Sequence, residues 1–175
     1  MSQPSALPLI LTLKLDATTF DRLDPLRQQH FPSDRNFLPA HVTLFHALPG
    51  DQESSIQDTL NTLSDSTTEL PLSFPNLRFL GQGVAIEIDA PDLLQLRQAL
   101  ANTWQPWLSR QDSQRYRPHV TIQNKVKPEI ARQLYDYLSQ DWQPLSGKGE
   151  GLLLWRYQGG PWEALGEFLF RAGAG

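Results

Sequence analysis

The sequence predicts an α+β fold built as two similar halves, and three observations carry the prediction. Leu13-Lys14-Leu15-Asp16-Ala17 and Ile86-Glu87-Ile88-Asp89-Ala90 share one pattern: apolar, charged, apolar, Asp, Ala. Each passage is followed by apolar residues at helical spacing, Phe20, Leu23 and Leu26 in the first case and Leu93, Leu94, Leu96 and Leu100 in the second. Each helical pattern then leads to a His-Val-Thr-apolar tetrad, His41-Val42-Thr43-Leu44 and His119-Val120-Thr121-Ile122. The same order in both halves reads as a duplicated strand–helix–strand unit.

The elements follow in chain order. Ala6 to Leu13 is apolar but too short to span a bilayer, and no Lys or Arg precedes it. It reads as a first strand, with no signal peptide and a cytoplasmic setting. Asp16 and Asp89 stand where an N-cap accepts from free helix N–H groups, and Pro91 fits a first helical turn. The polar cluster Asp51 to Ser55 opens a helix over Ile56 to Leu63. Pro128 opens another over Glu129 to Leu138, with Ile130, Leu134, Tyr137 and Leu138 as its apolar stripe. Leu70 to Leu80, Gly151 to Tyr157 and Trp162 to Arg171 read as strands. Gly81-Gln82-Gly83 and Gly159-Gly160-Pro161 read as turns, and Ala172-Gly173-Ala174-Gly175 as a frayed end. The sum is two β-α-β-α-β lobes, approximately 8–80 and 83–171, with a final strand and pseudo-twofold symmetry. No linker separates them, so 1–175 is expected to be one domain.

Composition narrows the chemistry. The chain has 175 residues and no cysteine. That removes disulfides, Cys-ligated zinc, iron–sulfur sites and a thiol nucleophile. The net charge of −4 argues against an extended footprint on duplex nucleic acid, while leaving room for one phosphate or one RNA end. No GxxxxGK[ST], HExxH or GxSxG motif occurs, and Gly81-Gln82-Gly83 is a lone GxG. Zinc commonly takes three protein ligands, and His41 and His119 have no obvious third, so no metal and no cofactor is expected.

The tetrads carry the proposed chemistry. A strand has period two, so His41 and Thr43 project together while Val42 and Leu44 enter the core; His119 and Thr121 do the same against Val120 and Ile122. If pseudo-symmetry brings the strands together, two imidazoles and two hydroxyls face one cleft. Imidazole titrates near neutrality, so one ring can take a proton from an attacking water while the other gives one to a leaving oxygen. Hydroxyls can donate to the non-bridging oxygens of a phosphate. A lone His-Val-Thr is ordinary strand vocabulary; the matched pair is the signal. His46 has the parity of Val42 and Leu44 and is read as packed or at a strand end. His30 ends a helix, where a cation is favoured.

The paired His-x-Thr-apolar tetrads resemble the 2H phosphoesterase superfamily, which includes the 2′-5′ RNA ligase family and RNA 2′,3′-cyclic phosphodiesterases. The order of elements agrees along nearly the whole chain. The resemblance implies a bilobal fold with antiparallel sheets around a central cleft. It also implies His41 and His119 as the acid/base pair and Thr43 and Thr121 as phosphate binders. One departure is that Pro118 directly precedes His119, whereas Ala40 separates Pro39 from His41.

Parity also marks the surroundings. Arg115, Arg117, His119, Thr121, Gln123, Lys125 and Lys127 are all odd-numbered, and no Asp or Glu lies between Asp112 and Glu129. An extended segment there presents a basic ribbon that attracts an anion. Arg115 and Arg117 are the candidates to touch substrate, ahead of Lys125 and Lys127. Phe45, equivalent to Gln123, either stacks on a base or packs; Gln123 bonds a base edge or a phosphate. Tyr116 is read as structural, and most of the five Trp residues as core or lobe-interface.

The expected function is metal-independent opening of a cyclic phosphate on an RNA end or nucleotide, with 2′-5′ ligation as the reverse sense. The alternative is a nucleotide or RNA-end binding module that uses the same cleft without turnover. A small nucleotide or RNA terminus is the expected partner, with no membrane partner and a monomeric chain.

Overall fold

The computed structural model describes residues 6–173. The first half runs β1 (Leu9–Leu15), α1 (Ala17–His30), β2 (Val42–Leu48), α2 (Glu53–Asp65), β3 (Leu70–Phe74) and β4 (Leu77–Phe79). The second runs β5 (Val84–Glu87), α3 (Pro91–Trp104), β6 (His119–Gln123), α4 (Pro128–Gln140), β7 (Leu145–Tyr157) and β8 (Trp162–Leu169).

Local chemistry accounts for most of these boundaries. Asp16 caps α1, accepting from the Thr19 N–H, and also takes the Lys148 N–H at 2.9 Å, which ties the helix start to β7. The matching expectation for Asp89 does not hold. α3 starts from Ala90 without a side-chain cap, and Asp89 instead pairs its backbone with Ser73. Pro91 does open α3, where its missing N–H costs nothing. The single strand expected over Leu70 to Leu80 divides at Pro75-Asn76 into β3 and β4. Proline cannot donate to a ladder, and the two pieces join different sheets. The end expected to fray is pinned as far as Ala172, whose N–H reaches the Thr67 carbonyl. Ala174 and Gly175 lie outside the described residues.

The strands form two antiparallel sheets. One has the order β2-β1-β7-β3, with β8 also on β7; the other is β4-β5-β6. Sheet membership cuts across the predicted lobes at 8–80 and 83–171. β7 and β8 of the second half complete the sheet of β1 and β2, while β4 of the first half joins β5 and β6. Helix α1 likewise packs against β6, in the opposite half. Leu9, Leu11, Val42, Phe45, Val84, Ile86, Val120, Ile122 and Leu154 belong to one continuous buried cluster that spans both sheets. The exchange of strands and helices turns the tetrads of β2 and β6 toward a common cleft.

Candidate active site

His41, Thr43, His119 and Thr121 line one cleft of about 340 Å³. Period two works here as predicted: Val42 and Val120 are fully buried, and the four polar side chains between and beside them are partly exposed. The two rings are held alike. Nδ1 of His41 donates to the Pro39 carbonyl at 2.9 Å, and Nδ1 of His119 to the Arg117 carbonyl at 2.9 Å. A carbonyl only accepts, so each neutral ring carries its proton on Nδ1 and leaves Nε2 unprotonated. Arg78 lies 3.4 Å from the His119 Nδ1, which already donates to the carbonyl, so that contact acts through charge.

Burial disfavours the imidazolium at both sites. It lowers His41 to about 4, with smaller contributions from Arg27, His119 and His46. His119 is also lowered, first by burial and then by Arg78, His46 and Arg117. The carbonyl bonds at Nδ1 act in the opposite sense at both rings and are outweighed.

Parity fails immediately after each Thr. β1 pairs Thr12 with Thr43 but Leu11 with Phe45, so Leu44 is an extra residue in β2. β5 pairs Ala85 with Thr121 but Val84 with Gln123, so Ile122 is an extra residue in β6. A bulge reverses the facing of everything beyond it. Phe45 is therefore fully buried, edge-on to Trp104 at 5.3 Å and beneath the Arg97 guanidinium at 4.0 Å. It cannot stack on a base. Gln123 is buried too, with Oε1 lacking a partner, and does not reach the cleft.

The same bulge brings in a residue that parity had set aside. His46 is exposed and lines the cleft. Asp112, 1% exposed, holds it there. Its carboxylate accepts from the His46 N–H at 2.8 Å and the Ala47 N–H at 2.9 Å, and meets His46 Nδ1 at 3.1 Å. Burial raises the Asp112 pKa, but these hydrogen bonds outweigh it, and the net shift is downward.

Two buried arginines brace the strands from behind, each from the helix of the other half. Arg27 on α1 donates to the Thr121 carbonyl at 2.8 Å; Arg97 on α3 donates to the Leu44 carbonyl at 3.1 Å and the Asp112 carbonyl at 2.7 Å. Tyr116 donates to the Thr43 carbonyl at 2.9 Å, in keeping with its structural reading.

The basic ribbon is shorter than expected. β6 ends at Gln123, and Lys125 takes a left-handed φ of 63°, so neither it nor Lys127 lines the cleft. Arg115 and Arg117 do line it, joined by Arg78. Glu87 holds two of these cations, Arg78 at 2.8 Å and Arg117 at 3.2 Å. Strand pairing puts Arg78 beside Ala85 and Ala85 beside Thr121, so all three share one face. The alternation in Leu77-Arg78-Phe79 was visible in sequence; its partner strand was not. Trp162, at the start of β8, stands edge-on to His41 at 5.0 Å. Among the described residues, no three His, Asp or Glu side chains gather as a metal-ligand set, and no helix is long and apolar enough to cross a membrane.

Comparison with solved structures places the fold. TT0787 of Thermus thermophilus is 15% identical, with a TM-score of 0.69 over 95% of this chain and 100% of that one. LigT of E. coli, solved with 3′-AMP, is 14% identical, with a TM-score of 0.62 over 94% and 98%. A protein described as a phosphoesterase is 15% identical, with a TM-score of 0.58 over 94% and 98%. No curated protein matches by sequence. A family profile described as the 2′-5′ RNA ligase superfamily matches residues 15–161, a span that runs from the end of β1 past both tetrads, and the chain belongs to that superfamily.

Proposed function

We propose that the chain is a phosphodiesterase that opens a cyclic phosphate on a nucleotide or RNA terminus, with His41 and His119 as its acid and base. The observation that carries the reading is the matched Nδ1–carbonyl bond at each ring, 2.9 Å in both, within one cleft. Each ring thereby offers Nε2 for proton transfer. Water attacks phosphorus and gives its proton to one Nε2. The bond from phosphorus to a ribose oxygen breaks, and that oxygen takes a proton from the other Nε2. Thr43 and Thr121 donate to the non-bridging oxygens, whose charge the reaction must hold. Arg115 and Arg117 draw in and orient the anion. The two rings supply both proton transfers, so the reading needs no metal. A 5′-hydroxyl in place of the attacking water bonds to phosphorus and gives its proton to one ring. The 3′-oxygen of the cyclic phosphate leaves with a proton from the other, which makes a 2′-5′ bond.

Nucleotide-sized ligands are consistent with this reading, because LigT, of the same fold, has been solved with 3′-AMP and with phosphate. The test is hydrolysis of a 2′,3′-cyclic nucleotide with and without chelator. Turnover is expected to be unaffected by chelator. His41→Ala and His119→Ala are each expected to lower kcat by roughly 10²–10⁴-fold while circular dichroism stays unchanged. Tight binding of cyclic nucleotides without turnover would replace the enzyme with a binding module.

A further inference from the structure

A third imidazole faces the cleft from outside both tetrads. His46 lines the same cavity as His41 and His119, and its charge reaches both rings, since it is among the groups that lower them. Asp112 fixes this third ring from behind. Its buried carboxylate accepts the backbone N–H groups of His46 and Ala47 and meets His46 Nδ1 at 3.1 Å. Any residue at position 46 would offer the backbone N–H; only an imidazole adds the side-chain contact with the same reach. Asp112 is held below its ordinary value and is ionised at neutral pH, so Nδ1 of His46 is the donor. Nε2, across the ring, turns away from the carboxylate, and 45% of the side chain is exposed.

The cations of the cleft divide into two groups. Arg78 and Arg117, on the side of His119, share Glu87 at 2.8 and 3.2 Å. Arg115 forms no ion pair among the described residues and follows Asp112 on the same wall, with Gln114 between them. Among the described residues, Asp112 is also the one carboxylate that lines the cleft. A single phosphate gripped by His41, His119, Thr43 and Thr121 leaves His46 and Arg115 without an anion.

We propose that His46 and Arg115 seat a second, non-reacting phosphate, carried on the 5′ side of the same ribose whose cyclic phosphate is opened. The inference rests on the cyclic-phosphate reading of the cleft. A carboxylate at Nδ1 and a phosphate at Nε2 both favour the imidazolium, which then donates from both edges. Arg115 adds a second cation with a fork of donors. The seat is braced: Arg97 donates to the Asp112 carbonyl at 2.7 Å and to the Leu44 carbonyl at 3.1 Å, which ties the Asp112 wall to β2. His46 is three residues beyond Thr43, so their Cα atoms are at most about 10 Å apart. Two phosphates joined by one ribose bridge that span once the side chains reach inward. His46 thereby sets specificity, favouring 5′-phosphorylated nucleotides and RNA ends over a bare nucleoside cyclic phosphate.

The first experiment compares adenosine 2′,3′-cyclic phosphate with its 5′-phosphorylated form, and with the dinucleotide that carries a second adenosine on that 5′ phosphate. The protein is expected to favour the 5′-phosphorylated substrate at least about tenfold in kcat/KM, because a charge-assisted contact to it persists in the transition state. His46→Ala is expected to bring that ratio close to one. His46→Gln, which fills the same space without charge, is expected to shrink it severalfold. A ratio near one in the protein itself, or a ratio unmoved in either variant, overturns the seat. The dinucleotide separates the two sources of the phosphate. A gain as large as that of the monoester assigns the seat to an RNA strand; a gain confined to the monoester assigns it to a free nucleotide. A second measurement is independent of turnover. The Nε2 and Hε1 resonances of His46 are expected to shift with adenosine 2′,5′-bisphosphate and not with adenosine 2′-monophosphate. No shift, or the same shift with both, overturns the seat. A bisphosphate-specific shift in a protein that hydrolyses none of the three substrates supports the seat and removes the phosphodiesterase reading.

Discussion

At the scale of the residue, one contact at each ring decides which nitrogen is left to exchange a proton. The carbonyls of Pro39 and Arg117 hold Nδ1–H, so Nε2 is the nitrogen left unprotonated on each neutral ring, and the proposed reaction runs through it. Burial then sets the pH range. His41 is lowered to about 4 and His119 below its ordinary value, so at pH 7 both rings of the free protein are neutral. A reaction that needs one ring charged and one neutral has a bell-shaped kcat/KM, with its maximum between the two free-protein values and hence below pH 6.5. Going from pH 6 to pH 8, kcat/KM is expected to fall. The maximum for kcat is expected at higher pH, because the bound phosphate favours an imidazolium beside it. A kcat/KM optimum at or above pH 7.5 would contradict the acid/base pair.

At the scale of the element, the bulges at Leu44 and Ile122 do what the regular ladder cannot. They let one strand send two residues to the cleft and the next large side chain into the core. A second register shift in β2, between Phe45 and Leu48, lies where Asp112 takes the N–H groups of His46 and Ala47. Asp112→Ala removes both acceptors from a buried position and is expected to cost about 1–3 kcal/mol, read from urea unfolding. The same variant frees His46, so its ring resonances are expected to broaden or move. The bulge in β6 depends on close approach by the β5 turn. A Cβ at Gly83 would lie 1.9 Å from the Gln123 carbonyl oxygen, which is backbone and cannot step aside alone. Gly83→Ala is therefore expected to shift β6, costing about 1–3 kcal/mol and lowering activity through His119 and Thr121. Unchanged stability and activity would show that β6 does not need that glycine.

At the scale of the whole molecule, a chain of net charge −4 presents a cleft lined by Arg78, Arg115, Arg117 and three histidines. The exchange of β4 and β7 between halves, with Arg27 and Arg97 bracing the opposite strands, makes the cleft inseparable from the global fold. Stability should therefore register the site histidines. His41 titrates near 4 when folded and near 6.5 when unfolded, so between those values the unfolded chain binds more protons. Stability is then fully present above pH 6.5 and is lost as pH falls toward 4. Denaturant unfolding at pH 7 and pH 5 is expected to show the loss, and His41→Asn to reduce it. An equal slope in protein and variant would mean that the ring is not held in a charge-excluding environment.

The fold class, the duplicated order of elements and the paired tetrads were all legible in the chain, because period, spacing and repetition are local properties. The same holds for the Asp16 cap, for Pro91 at a helix start and for the facing of His41, Thr43, His119 and Thr121. What lay beyond reach depended on pairing. The base-stacking alternative for Phe45 and the ligand contact of Gln123 failed, the packing alternative for Phe45 held, and His46 gained a place in the cleft, through the residue inserted after each Thr. Nothing in Thr43-Leu44-Phe45 marks that insertion until β1 lies alongside. Arg78 and Trp162 enter the site, and Lys125 and Lys127 leave it, for the same reason. Residues far apart in the chain become neighbours only when sheets form, and sheet order is set by the burial of the whole core rather than by any one segment.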